Sequence, residues 1–415
     1  MSESQPTRQR PGPKPRRPIR RDDIQGVKYF KLIGKLLESL HDHADCPNRR
    51  LHYDQLGALV ILHFFNPVLT SLRGVQQAST LRNVQRKLGV RRTSLGSLSE
   101  SSRVFDPALL KEIVEDLAGR AAAVDAPQRP AGLADELDVI AVDGSLIEAI
   151  PRMAWALWLD DEHRAAKLHL EFDILRGTPK SATLTDGNGN EKQVLRERLE
   201  PDRLYVLDAG YGKYGLFEEI RQAGSSFVAR LHDNAAYEPI EEGQLTETDR
   251  KSGVVFDRIV RLGSPTKRDE LSGPVRVVKV HVVNPPHRGL ARRRSKVSSK
   301  KTFRHRPTEY DVLLVTDRMD LPAETVALLY RHRWTIELFF RWFKCVLRFH
   351  HLMFESKRGV EILVYCALIA SLLITLWTGR KPTKRTLEMV QLYFQGWAGL
   401  DELEAHIAGL KRDDT

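Results

Sequence analysis

The chain holds 415 residues, 41% of them hydrophobic, with a formal net charge of +11. An apolar share of that size excludes a disordered polymer, and the length suits two or three domains. The cationic excess points to a polyanionic partner without choosing between nucleic acid and membrane. Three cysteines, Cys46, Cys345 and Cys366, lack C-x-x-C spacing, which argues against a disulfide framework or a zinc site and fits a reducing cytosol.

From Gln5 to Arg21 there are seven cations and no acid, in a proline-rich stretch without an apolar centre. Residues 1–22 are therefore expected to be a flexible basic arm and not a secretory signal. Helical spacing follows, at Phe30, Ile33, Leu37 and Leu40 and again at Leu56, Leu59, Val60 and Phe64, and predicts an N-terminal helical domain over 23–126. Within it, residues 81–105 hold a helix, a break at Gly89 and a second helix start near Ser97. That pattern suits a DNA-binding helix-turn-helix or an ordinary helical hairpin. Pro127 to Pro130 marks a linker.

The hydrophobic period then changes. Asp138 to Val142 is a β-branched run ending at Asp143-Gly144-Ser145, and Leu168 to Leu175 alternates as a strand. Ala182 to Thr185 runs into the turn Asp186-Gly187-Asn188-Gly189, and Leu204 to Leu207 is a strand ending at Asp208. A helix over 215–223 and a strand over 226–231 complete an α/β pattern. Two acids thus sit at the carboxyl ends of separate strands, where open α/β sheets place their chemistry. Residues 233–308 form a β-rich insertion with strands near 253–262 and 275–283. They end in the run His287–Arg306, which carries nine Lys or Arg residues, including Arg292, Arg293 and Arg294, and no acid.

The α/β pattern resumes at 310–315, and Leu321-Pro322 opens a long helix with proline at its first position. Ile362 to Trp377 is an apolar run broken only by Ser371 and Thr375; it is short for a membrane span and predicts a buried core helix. Residues 131–378 are thus expected as an α/β core, and 379–415 as a C-terminal helical segment.

The helix around Glu337 carries a narrow polar stripe. At roughly 100° per residue from Tyr330, Arg333 falls near −60°, Lys344 near −40°, Glu337 near −20° and Arg341 near +20°. Most of the remaining surface is apolar, so the helix is expected to be buried on most sides. The stripe either faces water or lines a cleft that holds a metal ion beside phosphates. The competing acids have local structural roles: Asp138 faces the opposite side of its strand from Asp143, Asp186 belongs to a turn, and Asp317 precedes a helix as a turn or cap residue. His163, His169, His281 and the His350–His351 pair lack metal-ligand spacing, and Trp155 and Trp158 are expected in the core.

The pattern Tyr330-x2-Arg333-x3-Glu337-x6-Lys344 resembles the signature of the DDE transposases of the insertion-sequence-four group, with every spacing kept. Val142-Asp143-Gly144-Ser145 and Leu207-Asp208-Ala209-Gly210-Tyr211-Gly212 are similar to the segments that carry that group's first and second acids. The resemblance covers roughly residues 138–378. It implies a ribonuclease-H-like mixed sheet core interrupted by the insertion, with Asp143, Asp208 and Glu337 as catalytic metal ligands. Two Mg²⁺ ions are implied, with Mn²⁺ as a substitute. Tyr330, Arg333 and Lys344 would contact DNA phosphates, with Arg341 and Arg292, Arg293 and Arg294 as further DNA contacts.

The implied partners are double-stranded DNA, as terminal inverted repeats and as target, and a second copy of the chain bridging two ends. Residues 23–126 would then be the DNA-binding domain, in a bacterial cytoplasmic, nucleoid-associated protein with no membrane partner. Water would attack first, and the freed 3′-hydroxyl would then attack a second phosphodiester. Three rivals stay open: a recombinase using Tyr330 as nucleophile, a non-catalytic DNA-binding descendant of a transposase, and a nuclease with the same core.

Overall fold

The computed structural model describes residues 36–41, 50–121, 130, 132–134, 137–149, 152–158, 163–264, 270–283, 309–347, 352–379 and 383–409. The arm at 1–22 and the run His287–Arg306, with Arg292, Arg293 and Arg294, lie outside the described residues, as does the His350–His351 pair.

The described N-terminal part holds helices α1 (Tyr53–Phe65), α2 (Leu72–Ala78), α3 (Arg82–Leu88), α4 (Leu95–Val104) and α5 (Ala108–Ala121). Helix α1, with only Asp54, Gln55 and His63 as polar residues, is buried along nearly its whole length, as a helix with no continuous polar face must be. After it come strands β1 (Asp138–Ala149), β2 (Arg164–Asp173) and β3 (Thr178–Asp186), helix α6 (Glu191–Arg196), β4 (Arg203–Leu207), helix α7 (Tyr214–Gln222) and β5 (Ser226–Arg230). The next stretch supplies β6 (Tyr237–Glu242), a short α8 (Glu247–Lys251), β7 (Val254–Leu262), β8 (Val275–Val283) and β9 (Glu309–Thr316). Helices α9 (Ala323–His332), α10 (Trp334–Leu347), α11 (Lys357–Thr378), α12 (Lys384–Phe394) and α13 (Leu400–Gly409) close the chain.

The nine strands among the described residues form one mixed sheet in the order β3-β2-β1-β4-β5-β9-β8-β7-β6. The β3-β2-β1 part is antiparallel, β1-β4-β5 is parallel, and everything from β5 to β6 is antiparallel. Strand β4 is buried at every position, as parallel strands covered on both faces require. The β-rich segment does not stand apart from the core: β9 joins β5, and β8, β7 and β6 continue the same sheet outward. Its last strand carries Pro239, Glu238, Glu241 and Glu242 and a register shift. Proline, charge and a bulge together discourage further pairing at an exposed edge.

Alternation sorts side chains onto two cores. Val139, Ala141, Leu170, Phe172 and Val206 face α1, α5, α10 and α11. Ile140, Val142, Tyr205, Leu207 and Phe227 face α6 and α7. Helix α11 contains the apolar run; its length and mean hydropathy of 2.2 would suit a membrane span, yet 89% of that window is buried inside the protein. It packs on α1, α4 and α5, so the N-terminal helices share one core with the sheet.

The single long helix expected from Pro322 is two. Pro322 caps α9 from an extended conformation (ψ 146°) instead of occupying the first turn, and the helical ladder lapses at Arg333. Arg333 keeps helical torsions (φ −51°, ψ −32°), so the local spacing of the stripe survives the lapse. Helix α10 is also less enclosed than its composition suggests. Trp334 and Leu338 are 38% and 46% exposed, because they lie beside the polar stripe, on the side that the sheet does not cover. Its other side, through Ile336, Phe339 and Phe343, is buried, with Phe339 5.1 Å from Phe172 of β2.

Candidate active site

Pairing between β1 and β4 stops at Ala141↔Val206, whereas β1 continues alongside β2 to Ala149. The two parallel strands therefore part just before Asp143 and Asp208, which opens a crevice where their pairing stops. Asp208 follows the end of β4, whereas Asp143, expected at a strand end, lies inside β1, because pairing with β2 carries that strand on to Ala149. Each aspartate is locally anchored. Asp143 Oδ1 accepts from Gly144 N–H at 2.8 Å. Asp208 ends β4 by capping the 3-10 turn Ala209–Tyr211, its Oδ1 accepting from Gly210 N–H at 2.8 Å. Gly144 follows Asp143 for a steric reason: a Cβ there would stand 2.6 Å from Glu191 Oε1.

Arg333 connects this crevice to α10. Its Nη2 donates to Glu337 Oε1 at 2.8 Å, its Nη1 stands 3.9 Å from Asp143 Oδ2, and its guanidinium lies 5.7 Å from the centre of the Tyr330 ring. Burial opposes charge on Arg333, while Tyr330, Glu337 and Asp143 sustain it. The Asp143 carboxyl is pushed up to about 6, first by burial and then by the like charges of Asp208 and Glu191; Gly144 N–H and Arg333 oppose the rise. Tyr330 is likewise raised, chiefly by burial, so its phenol stays protonated. Tyr211 is raised well above its ordinary value by burial and by Glu191, Asp143 and Asp208.

The expected site residues fall into three groups. Asp143, Asp208, Tyr330, Arg333 and Glu337 come together around the crevice. Arg341 and Lys344 are exposed further along α10. Arg292, Arg293 and Arg294 lie outside the described residues. The acids set aside in the sequence are occupied elsewhere: Asp138 pairs with Arg176 and Lys180. Asp186 accepts from Asn188 N–H within its turn, and Asp317 accepts from Phe227 N–H at 3.0 Å. His169 is a buried core residue bonded to Thr185, and its pKa is lowered to about 4 by burial, then by Lys167 and Arg198.

Three residues enter the site that sequence reasoning did not single out. Glu191 begins α6 beside Asp143 and pairs with Lys167 at 3.3 Å; nothing in its local sequence marks it. Tyr211 was visible only as part of the Asp208 context. Arg230 ends β5 and acts on the Tyr330 phenol. The strand expected over 226–231 ends one residue earlier, at Arg230, so the strand-end rule pointed past it.

A hard divalent cation takes oxygen ligands and commonly keeps water and phosphate in its shell. Among the described residues no three carboxylates, histidines or cysteines stand close enough to share one ion, and Arg333 stands between Asp143 and Glu337. The donor set is nevertheless all-oxygen and its negative charges crowd one another. The Tyr211 hydroxyl and Arg333 Nε are buried without hydrogen-bond partners among the described residues. Orphaned polar atoms beside crowded carboxylates fit a site completed by a cation, water and a phosphate.

A family model described as the transposase DDE domain matches residues 135–373. The chain is 27% identical over 213 residues to y4zB of Sinorhizobium fredii, a protein named as a transposase, covering 51% of this chain and 53% of that one. It is 25% identical over 257 residues to a protein of Geobacillus stearothermophilus named as the transposase for insertion sequence element IS5377, covering 60% of each. A Synechocystis protein named as the transposase for insertion sequence element IS4SA is 19% identical over 329 residues, or 78% of this chain and 83% of that one. The chain thus spans between half and three-fifths of the length of the first two relatives. Among solved structures, a piggyBac transposase synaptic complex with hairpin DNA superposes with a TM-score of 0.38 at 12% identity, over 94% of this chain and 82% of that one.

Proposed function

The chain belongs to the transposase DDE domain family, and from that premise we propose that it cuts the ends of a DNA element and joins them to target DNA. The observation that carries the reading is the Arg333 bridge. It links Glu337 of α10 to Asp143 at the crevice where β1 and β4 part, and the charge of Asp208 acts on the same Asp143. The sheet order β3-β2-β1-β4-β5, antiparallel and then parallel, supports a ribonuclease-H-like core, extended outward by the inserted strands.

Asp143, Asp208 and Glu337 would hold the cations, two Mg²⁺ ions with Mn²⁺ as a substitute. Cations held there would supply the positive charge that activates an attacking oxygen and neutralises a leaving one in displacement at phosphorus. Arg333 has Nε free to donate to a phosphate, and the Tyr330 ring beneath it holds the guanidinium plane. Arg230 adds a second cation at the adjacent strand end. Arg341 and Lys344 continue the phosphate track along α10, with Arg292, Arg293 and Arg294 as further contacts. Nothing in this arrangement asks for a protein nucleophile: water opens the strand, and the freed 3′-hydroxyl attacks the target. Tyr330 as a nucleophile is disfavoured because burial keeps its phenol protonated. The substrates are double-stranded DNA, as terminal inverted repeats and as target, with a homodimer bridging paired ends in a bacterial cytoplasm.

The test is strand cleavage of DNA carrying the parent element's termini, in Mg²⁺ or EDTA, with wild type and Glu337→Gln. The expected result is cleavage that needs the cation and disappears in the variant while DNA binding persists. Cleavage that survives both EDTA and the substitution would overturn the site. Binding without cleavage under every condition would favour a non-catalytic descendant.

A further inference from the structure

The crevice has a second wall, on the side of the sheet away from α10. Alternation places Val142, Gly144 and Leu146 on the face of β1 opposite Asp143. Val142 shares a core with Leu195 of α6, and Gly144 and Leu146 lie opposite His169 and Lys167 of β2. Glu191 of α6 therefore approaches from the face opposite Glu337. Its Oε1 stands 2.6 Å from where a Cβ at position 144 would lie, so the glycine is what admits the carboxylate. Lys167 fixes it there. Its Nζ lies 3.3 Å from Glu191 Oε1 and donates to the Gly189 carbonyl at 3.0 Å.

Tyr211 closes this wall from the end of β4. The 3-10 turn that Asp208 caps carries its ring into the core shared by Ile140, Leu207 and Phe217, where the residue is 1% exposed. A phenol this deep ordinarily gives its O–H to a partner. Here the hydroxyl has none among the described residues. The charges of Glu191, Asp143 and Asp208 nevertheless all bear on it, Glu191 most strongly. A buried hydroxyl without a partner costs stability, and phenylalanine would fill the same space without that cost. One unused donor facing three carboxylates points to an oxygen that joins them, and negative charges crowded this way are offset by a divalent cation with its oxygen shell.

We propose that Tyr211 and Glu191 are positioning residues of the cleavage site: from the α6 side of the sheet, the phenol O–H and the carboxylate held by Lys167 order the oxygens around a divalent cation bound by Asp143 and Asp208. This rests on the reading that those aspartates hold the cation. Glu191 acts from outside the ligand set, since among the described residues no three carboxylates stand close enough to share one ion. It adds negative charge behind Asp143, and Tyr211 supplies a directed donor. Partners of this kind, one layer out from the ligands, set metal affinity by about 10–100-fold.

The test measures Mn²⁺ binding to the full chain without DNA, from the electron paramagnetic resonance signal of the free ion, beside thermal unfolding in EDTA. Wild type is compared with Tyr211→Phe, Glu191→Gln, Glu197→Gln and Asp143→Asn. Glu197, exposed at the end of α6, controls for the loss of one negative charge. Tyr211→Phe and Glu191→Gln should each bind Mn²⁺ about 10-fold or more weakly. Tyr211→Phe should melt at or above wild type, and Glu197→Gln should bind as wild type does. Wild-type affinity in either Tyr211→Phe or Glu191→Gln overturns the proposal, as does a loss that Glu197→Gln reproduces. A purely structural Tyr211 would give the reverse pattern, a lower melting temperature with unchanged Mn²⁺ affinity. If Asp143→Asn fails to weaken Mn²⁺ binding, the reading of the aspartates as cation ligands falls. If it alone weakens binding, that reading stands and only the positioning role is refuted.

Discussion

Asp143→Asn should stabilise the metal-free protein at neutral pH. The native Asp143 carboxyl titrates at about 6 in place of its ordinary 3.8, so the folded chain prefers the protonated form. Stability from this group is full below about pH 4, declines as pH rises through 6 and is absent above about pH 7. A shift of about two units is worth about 3 kcal/mol at most. The side chain is 21% exposed, and screening reduces the figure to roughly 1–2 kcal/mol. Asparagine keeps the acceptor for Gly144 N–H and removes only the charge. The Arg333 contact it weakens is a loose one at 3.9 Å, and Arg333 keeps Glu337. With an unfolding entropy of ~2 cal/mol/K per residue, a chain of this length shifts its melting temperature by about 1 °C per kcal/mol. Calorimetry in EDTA should therefore show Asp143→Asn melting roughly 1–2 °C above wild type at pH 7.5, with no advantage at pH 4. Adding Mg²⁺ should raise the wild type and leave the variant nearly unmoved. A variant that melts at or below wild type at pH 7.5, or that keeps the same advantage at pH 4, would refute the reasoning.

Glu171→Ala removes the carboxylate that pairs Arg198 at 3.0 Å and the buried Arg203 at 3.1 Å. Arg203 keeps its pair with the exposed Glu200 and Arg198 keeps Thr183 and Ser181, so losing the buried carboxylate should cost about 1.5–3 kcal/mol in denaturant unfolding, and a loss below about 0.5 kcal/mol would mean that water reaches Arg203. Lys344→Ala, at an exposed position on α10, should keep stability within about 0.5 kcal/mol while weakening end binding or cleavage. Wild-type activity in that variant would return the outer half of the stripe to a plain solvent face.

The chemistry of the crevice was legible wherever geometry is local. A helix repeats every 3.6 residues, so the spacing from Tyr330 to Glu337 places those groups on one face whatever surrounds it. The lapse at Arg333 did not disturb this, because its torsions stay helical. A short apolar run that stops at an acid marked both aspartates, but only Asp208 follows a strand end; Asp143 lies inside β1, which runs on beside β2 to Ala149. His169, expected to be an ordinary surface or core histidine, is buried on the face opposite Leu168 and Leu170, because β2 is covered on both faces.

Other features depended on neighbours remote in the chain. That Glu191 lies where a side chain at position 144 would extend, that Arg230 acts on Tyr330, and that Trp334 and Leu338 stay exposed could not be read from residues close in sequence. Nor could the continuation of β6–β8 within the main sheet, since strand patterning specifies a face and not a partner. Tyr211 was visible within the Asp208 context from the start. Only the tertiary structure decided that its hydroxyl is buried among carboxylate charges without a hydrogen-bond partner among the described residues, because pairing depends on what the fold brings near. Sequence alone therefore determined which residues could do chemistry, and packing decided which of them meet.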